Sequence, residues 1–301
     1  MGISQYIKEI GRGPRGARPL DRAQAADLMA QVLDGSVTDL ELGAFCLAMR
    51  IKGETPDEMA GFLDAAHARM TLVPAGNRPL VVLPSYNGAR RLPVLTPLLA
   101  LLVARRGLPV LMHGAATEDS RVTVPAVLAA LGHAVLAAIR PLVDGEAAYA
   151  PLELLSPALK RLLDVRRVVG LRNSGHSMVK LMNPSAGAAV IVSSYTHREY
   201  LDSMSAVFRL QESTALLLRG TEGEAVADAR RLPQMDGFIR GRHVALELGQ
   251  KGTLTDLPDL PRETDATSTA AYIRDVLDQR KPVPASVALQ VEHILHLADA
   301  A

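Results

Sequence analysis

Between Leu80 and Gly132 the chain sets out two strand–loop–helix units in succession, an order that few folds can accommodate. Leu80-Val81-Val82-Leu83 is the kind of apolar run that a strand buried on both faces requires, and it breaks at Pro84-Ser85-Tyr86-Asn87-Gly88. The spacing predicts a helix capped by Thr96, with Pro97 where a missing N–H is harmless, closed by Gly107 after Arg105 and Arg106. Leu108 to Met112 reads as the next strand, His113 to Thr117 as its loop, and Val124 to Leu131 as a helix ended by Gly132. Strand, helix, strand in this order implies the α/β class, with a mostly parallel central sheet flanked by helices and right-handed crossovers.

The first seventy residues read differently. Asp21 is placed to cap a helix carrying Leu28, Met29, Val32 and Leu33, and Thr38 with Glu41 forms a capping box before Leu42, Leu47 and Ile51. Thr55-Pro56-Asp57-Glu58 opens a third helix, expected to run through Met70. At 301 residues and 48% hydrophobic, the chain can bury a large core with a small domain beside it. The expected division is a helical domain over residues 1–73 and an α/β domain over 74–301. So small a bundle leaves an apolar face to pack on the larger domain or on a second subunit. No apolar stretch approaches the ~20 residues of a membrane span, and no signal-peptide core is visible at the N-terminus. The lone Cys46 suits a reducing cytoplasm, the expected location.

In open parallel sheets ligands sit beyond the carboxyl ends of the strands, so both loops are candidate sites. A phosphate loop needs several glycines to wrap the oxygens, or a lysine to supply charge. The first loop has one glycine, Gly88, and the second, His113-Gly114-Ala115-Ala116-Thr117, has no lysine.

The segment Gly88 to Gly132 resembles the core of anthranilate phosphoribosyltransferases (glycosyltransferase family 3) and the related pyrimidine nucleoside phosphorylases. That resemblance implies their two-domain fold, with part of about residues 160–185 linking back to the helical domain, and a homodimer built through that domain. In those transferases a Gly-Thr-Gly-Gly-Asp-Gly loop and a Lys-His-Gly-Asn-Arg loop hold phosphoribosyl pyrophosphate. Here the first reads Leu83-Pro84-Ser85-Tyr86-Asn87-Gly88 and the second Met112-His113-Gly114-Ala115-Ala116. Pro93-Val94-Leu95-Thr96 stands where the family has Asn-Ile-Ser-Thr. Gly170, Arg172, Asn183 and Pro184 keep a further family pattern, while His176, Val179 and Lys180 depart from it. With Gly223 taken as the glycine before the magnesium-binding acidic pair, Ala225 and Val226 replace both carboxylates. The strings Pro84 to Arg90, Val165 to Ser174 and Arg219 to Glu224 resemble a narrower, TrpD-like family that lacks the transferase motifs and binds nucleic acid. That likeness runs from about Ile7 to Pro284 and implies roughly one further helix beyond Ala301.

A formal net charge of +1 conceals segregation. Residues 1–22 carry Lys8, Arg12, Arg15, Arg18 and Arg22 against two acids; Arg90, Arg91, Arg105 and Arg106 have no acid among them. Lys160, Arg161, Arg166, Arg167, Arg172 and Lys180 face only Asp164 within residues 160–180. Each cluster alone reads as a solvated face; together, beside altered phosphate loops, they read as a groove for a polyanion. Arg166 and Arg172 have a second reading, implied by the resemblance, as clamps between the two domains, either one paired with a carboxylate. The stretch Gly11 to Pro19 is either a mobile arginine arm or a loose connecting loop.

With no Trp, four Phe and six Tyr, an extended stacking platform is not expected; Tyr86 is the one aromatic proposed to stack on a base, or else to pack on the interdomain wall. The expected function is therefore binding of DNA, with RNA as a second ligand, through phosphate contacts with little sequence preference. The residues assigned are Lys8, Arg12, Arg15, Arg18, Arg90, Arg91, Arg166, Arg167, Arg172 and Lys180, with Tyr86, Asn87, Gly88, His113 and Gly114 forming the altered substrate loops. No catalytic residue, metal or cofactor is assigned. His293 and His296 read as a solvated helix face, and Glu222 with Glu224 as a surface turn. The rival readings are a transferase of phosphoribosyl or ribosyl groups using His113-Gly114 and Glu224, and a sensor whose cleft takes a nucleotide.

Overall fold

The computed structural model describes residues 2–13, 15–118, 120–254 and 257–301, so Pro14 of the expected arginine arm lies outside the described residues. Four helices open the chain: α1 (Ser4–Ile10), α2 (Arg22–Asp34), α3 (Asp39–Lys52) and α4 (Pro56–His67). Asp21 with Gln24, Thr38 with Glu41 and Thr55 with Glu58 form reciprocal capping boxes at the starts of α2, α3 and α4, each interaction of this kind contributing about 1 kcal/mol. The third predicted helix ends at His67 rather than Met70, because Ala68 closes it with N–H bonds to Asp64 and Ala66. Gly61 lets α4 lie directly on α2: a Cβ there would come 2.2 Å from the Arg22 carbonyl. Glu58, fully buried, is satisfied by the N–H groups of Leu20 (2.9 Å) and Thr55 (2.8 Å) and by Lys52 Nζ (2.6 Å).

The sheet follows. β1 (Leu80–Ser85), α5 (Thr96–Arg105), β2 (Val110–Gly114), α6 (Val124–Leu131) and β3 (Ala147–Pro151) make its first half. Then come α7 (Leu152–Leu155), α8 (Pro157–Val169), α9 (Gly175–Leu181), β4 (Ala189–Tyr195), α10 (Glu199–Leu210) and β5 (Ala215–Arg219). β6 (Met235–Ile239), β7 (Arg242–Glu247), α11 (Ala266–Leu277) and α12 (Ala285–Asp299) complete the chain. The seven strands lie in the order β3-β2-β1-β4-β5-β6-β7; the first five are parallel and the last two antiparallel.

Alternate residues of the inner strands serve two cores. Val81, Leu83, Val110, Met112, Val190 and Val192 pack with α5, α11 and α12; Val82, Leu111 and Ile191 pack with the helical domain and α8–α10. Burial on both faces is why these strands read as unbroken apolar runs. Two boundaries depart from the expectation. Thr96 does not cap α5, since its hydroxyl is turned to Glu224 Oε2 at 2.9 Å. β2 begins at Val110 and runs through His113-Gly114, so this pair ends a strand and does not open a loop.

The crossovers from β1 run outward through β2 to β3, those from β4 outward through β5, so the strand order reverses between β1 and β4. Pro84, lacking an N–H, lies past the point where β1 and β4 pair, which stops at Val82–Ile191, and the two strand ends separate into a crevice. Behind it α8 and α9 tie back to the first domain: Arg161 donates to Leu33 O, Ser174 Oγ to Glu54 Oε1 (2.5 Å), and Asn183 N to His67 Nε2 (2.9 Å).

Candidate functional site

A crevice at the reversal of strand order is where an α/β sheet takes its ligand. Here the chain fills it with its own carboxylates. Glu224 is 3% exposed; Oε1 accepts from the N–H groups of Gly88 (2.8 Å) and Asn87 (3.3 Å), and Oε2 from Thr96. Two residues earlier, the Glu222 carboxylate accepts from the successive N–H groups of Arg90 (3.1 Å), Arg91 (3.2 Å) and Leu92 (3.2 Å). The surface-turn reading of this pair is thus corrected for Glu224. Its burial is tolerated because all its acceptors face donors. Glu222 (φ +53°) and Gly223 (φ +84°) form the left-handed turn that aims both carboxylates inward, and a Cβ on Gly223 would meet Asn87 Nδ2 at 1.7 Å.

The two loops are stitched together. Ala89 and Val122 exchange N–H···O bonds of 2.8 and 3.0 Å, and Thr117 Oγ1 donates to Tyr86 O at 2.7 Å. Tyr86 is buried, its ring edge-on to His113 and its hydroxyl 2.8 Å from His113 Nδ1. It is therefore not available to stack on a base; of the two readings, the packed ring is the one found. Burial lowers the His113 pKa to about 3, which leaves the imidazole neutral. Gly114 is required at its position because a Cβ would lie 1.9 Å from Ser85 O. Ala225 and Val226 are buried beneath α12, where Gln290 accepts from Ala227 N (2.8 Å) and donates to Ala225 O (2.9 Å).

The assigned cations separate into three groups. Lys8, Arg12, Arg15 and Arg18 are exposed, with Arg12 paired to Glu9 at 2.6 Å. Arg90 and Arg91 are exposed in the first loop, their backbone engaged by Glu222 and their guanidinium groups unpaired among the described residues. Arg166, Arg167, Arg172 and Lys180 differ among themselves. Arg166 binds Glu118 Oε1 at 2.8 Å and Arg172 lies 3.6 Å from the same oxygen, a clamp on a carboxylate within the α/β domain rather than between the domains, while Arg172 also donates to Asn87 Oδ1 (3.2 Å). Arg167 is half-exposed, 3.6 Å from Asp164. Lys180 turns inward, donating to Gly223 O at 3.2 Å, and desolvation lowers its pKa to about 8; it does not present its charge on an outer surface.

Sequence reasoning missed three arginines. Arg198 follows β4, Arg219 ends β5 in register with Tyr195, and Arg50 lines the interdomain cleft; all are exposed. A count of cations at the end of each parallel strand and in the three residues after it would have found the first two. The cleft, about 400 Å³, lies between the helical and α/β domains and is lined in part by Arg50, Arg172, His176, Lys180, Tyr195 and His197.

Residues 4–70 match the helical bundle domain of the glycosyl transferase family. The whole chain is 38% identical over 304 residues to the uncharacterised protein YbiB of Escherichia coli (strain K12), covering 97% of this chain and 92% of that one. The chain belongs to the YbiB-type, TrpD-like family. It is also 27% identical over 284 residues to the anthranilate phosphoribosyltransferase of Beijerinckia indica subsp. indica, covering 90% of this chain and 81% of that one. The crystal structure of anthranilate phosphoribosyltransferase from Thermus thermophilus superposes with a TM-score of 0.75 at 21% identity, covering 98% of this chain and 89% of that one. The Saccharomyces cerevisiae enzyme, solved in complex with PRPP and Mg, gives 0.70 at 12% identity, covering 99% and 88%. The TrpD-like fold is therefore shared. Within this YbiB-type chain the crevice holds loop amides turned to internal carboxylates and a buried aliphatic pair at Ala225-Val226.

Proposed function

We propose that this YbiB-type protein binds nucleic acid, DNA and also RNA, through the face formed by the carboxyl ends of the parallel strands. One observation carries the reading. Four described acids beside that face are engaged internally, Glu118 on Arg121 and Arg166, Glu222 and Glu224 on loop N–H groups and Asp228 on Arg230, while Glu199 in the first turn of α10 stays exposed. Among the described residues, Arg90, Arg91, Arg198 and Arg219 keep exposed guanidinium groups with no such partner. These four guanidinium groups are what a polyanion would meet there, on a chain of net charge +1.

The same geometry supports loss of the transferase chemistry. The alkyl side chains of Ala225 and Val226 offer no oxygen donor, so the residues at this position do not fit a divalent cation. Glu224 is consumed and His113 is enclosed, which removes the two side chains on which the rival transfer reading relied. We further propose a homodimer through α3, where Leu40, Leu47 and Ile51 stand exposed on one helix face, and a cytoplasmic location, in keeping with the single buried thiol Cys46. Among the described residues no helix is long and apolar enough to cross a membrane.

The deciding experiment titrates the protein into labelled single-stranded and duplex oligonucleotides of mixed sequence at several salt concentrations. The expected result is binding whose log K falls with log salt by about 0.9 per phosphate neutralised on duplex DNA, with a shallower slope for the Arg90→Ala/Arg91→Ala double variant. Absence of binding at low salt overturns the proposal.

A further inference from the structure

Three successive backbone N–H groups, those of Arg90, Arg91 and Leu92, converge on one carboxylate. Successive amides pointing into one concavity form an anion nest, and an oxyanion is what such a nest selects. The occupant here is internal and poorly suited. Glu222 reaches the nest from a left-handed backbone position that disfavours a side chain (φ +53°), and its contacts of 3.1–3.2 Å are long for charge-assisted bonds. The same loop carries two exposed guanidinium groups without side-chain partners among the described residues, those of Arg90 and Arg91, and Arg230 is close enough to feel the Glu222 charge. A phosphate group carries the same sign of charge and more acceptor oxygens, so it can take the same amides and still have oxygens left for a neighbouring guanidinium group.

We infer that the Arg90–Leu92 amides form a phosphate-binding site that the Glu222 carboxylate occupies as an internal mimic and yields to an incoming phosphate. Glu224 stays behind as the permanent anchor of Asn87 and Gly88, being buried and bonded by Thr96 as well, whereas Glu222 is only half-buried. The exchange breaks the bonds from the three amides to the carboxylate and remakes them to phosphate oxygens, with no covalent change. The phosphate can come from a nucleic-acid backbone or from free phosphate; the first source rests on the function proposed above, the second does not.

The test uses Glu222→Gly and Glu222→Gln in the full chain, with Glu199→Gln, an exposed acid in the first turn of α10, as the control for an equal change of charge. Glycine is favoured at a positive φ, so the first variant is expected to fold. Amide resonances of Arg90, Arg91 and Leu92 are followed while inorganic phosphate is added against chloride of equal ionic strength. The expected result is a phosphate-specific shift at these three amides in both Glu222 variants, half-complete at about a tenth or less of the phosphate needed by the wild type or by Glu199→Gln. A folded Glu222→Gly chain whose three amides ignore phosphate overturns the inference, as does an equal response in Glu199→Gln. A mixed-sequence oligonucleotide then separates the sources. Tighter oligonucleotide binding by the Glu222 variants than by Glu199→Gln supports a backbone phosphate in the nest. A phosphate response without any oligonucleotide binding supports the nest for free phosphate and removes the nucleic-acid reading alone.

Discussion

Glu118 organises more cationic charge than any other described acid on the ligand-facing edge. Arg121 and Arg166 bond it at 2.7 and 2.8 Å, and Arg172 stands 3.6 Å away. Hydrogen bonding by Arg166, aided by Arg121 against the opposing effect of desolvation, holds its carboxyl down to about 2 from an ordinary value of 4.5. A carboxyl whose pKa is depressed on folding contributes stability above its unfolded value, and that contribution is lost as pH falls from 4.5 towards 2. Solvent reaches this cluster, so screening leaves it worth about 1 kcal/mol, well short of the full shift. Glu118→Gln should therefore lower unfolding free energy at neutral pH by roughly this amount, and should flatten the acid limb of stability between those pH values. Denaturant titrations of both proteins from pH 7 to pH 2.5 measure it; identical curves would show that the clamp contributes nothing. Arg166 and Arg172 were legible as cations in the sequence, but their partner was not, because Glu118 lies 48 residues from Arg166 along the chain.

At the scale of elements, helix starts were the most legible features. Asp21, Thr38 and Thr55 cap as read, since a cap is a contact between residues three apart and needs no tertiary context. Thr96 looked the same in sequence and fails to cap, because the buried Glu224 offers its hydroxyl a charged acceptor. The α3 helix raises the opposite case. Phe45 and Met49 face the core, while Leu40 (84% exposed), Leu47 (46%) and Ile51 (62%) share the outward face at helical spacing. Exposed apolar residues in register contribute little to the monomer, so Leu47→Glu/Ile51→Glu should change unfolding free energy by only about 0.5 kcal/mol. The same pair should turn a dimer into a monomer by light scattering at micromolar concentration. A wild type that already runs as a monomer would remove the proposed interface.

Across the whole molecule, three histidines are held neutral by burial: His113 at about 3, His176 at about 4, and His67 below its ordinary value. Folded-state values below 6.5 mean that the unfolded chain takes up more protons, so stability falls as pH drops below 6.5 towards these values. His113 and His176 together should give a slope approaching about 2.7 kcal/mol per pH unit between pH 6 and roughly 4.5. His113→Asn, which keeps a polar atom near the Tyr86 hydroxyl, should remove about half of that slope. Chemical unfolding at three pH values across the window decides it, and an unchanged slope would assign the acid sensitivity elsewhere.

Leu80 to Leu83 announced a doubly buried strand, the helix between β1 and β2 implied a parallel crossover, and the missing glycines of the first loop were plain in the letters. These are local properties, set by apolar pattern, backbone freedom and capping between near neighbours. The sequence alone thus determined the class of fold, the helical first domain and the altered loops. Only the tertiary structure decided that Tyr86 is enclosed, that Lys180 points inward, and that Glu222 and Glu224 occupy the amides of the first loop. Glu224 reaches Gly88 across 136 residues of chain. A carboxylate is drawn to whichever unpaired N–H groups folding places beside it, and folding places them by packing the whole sheet.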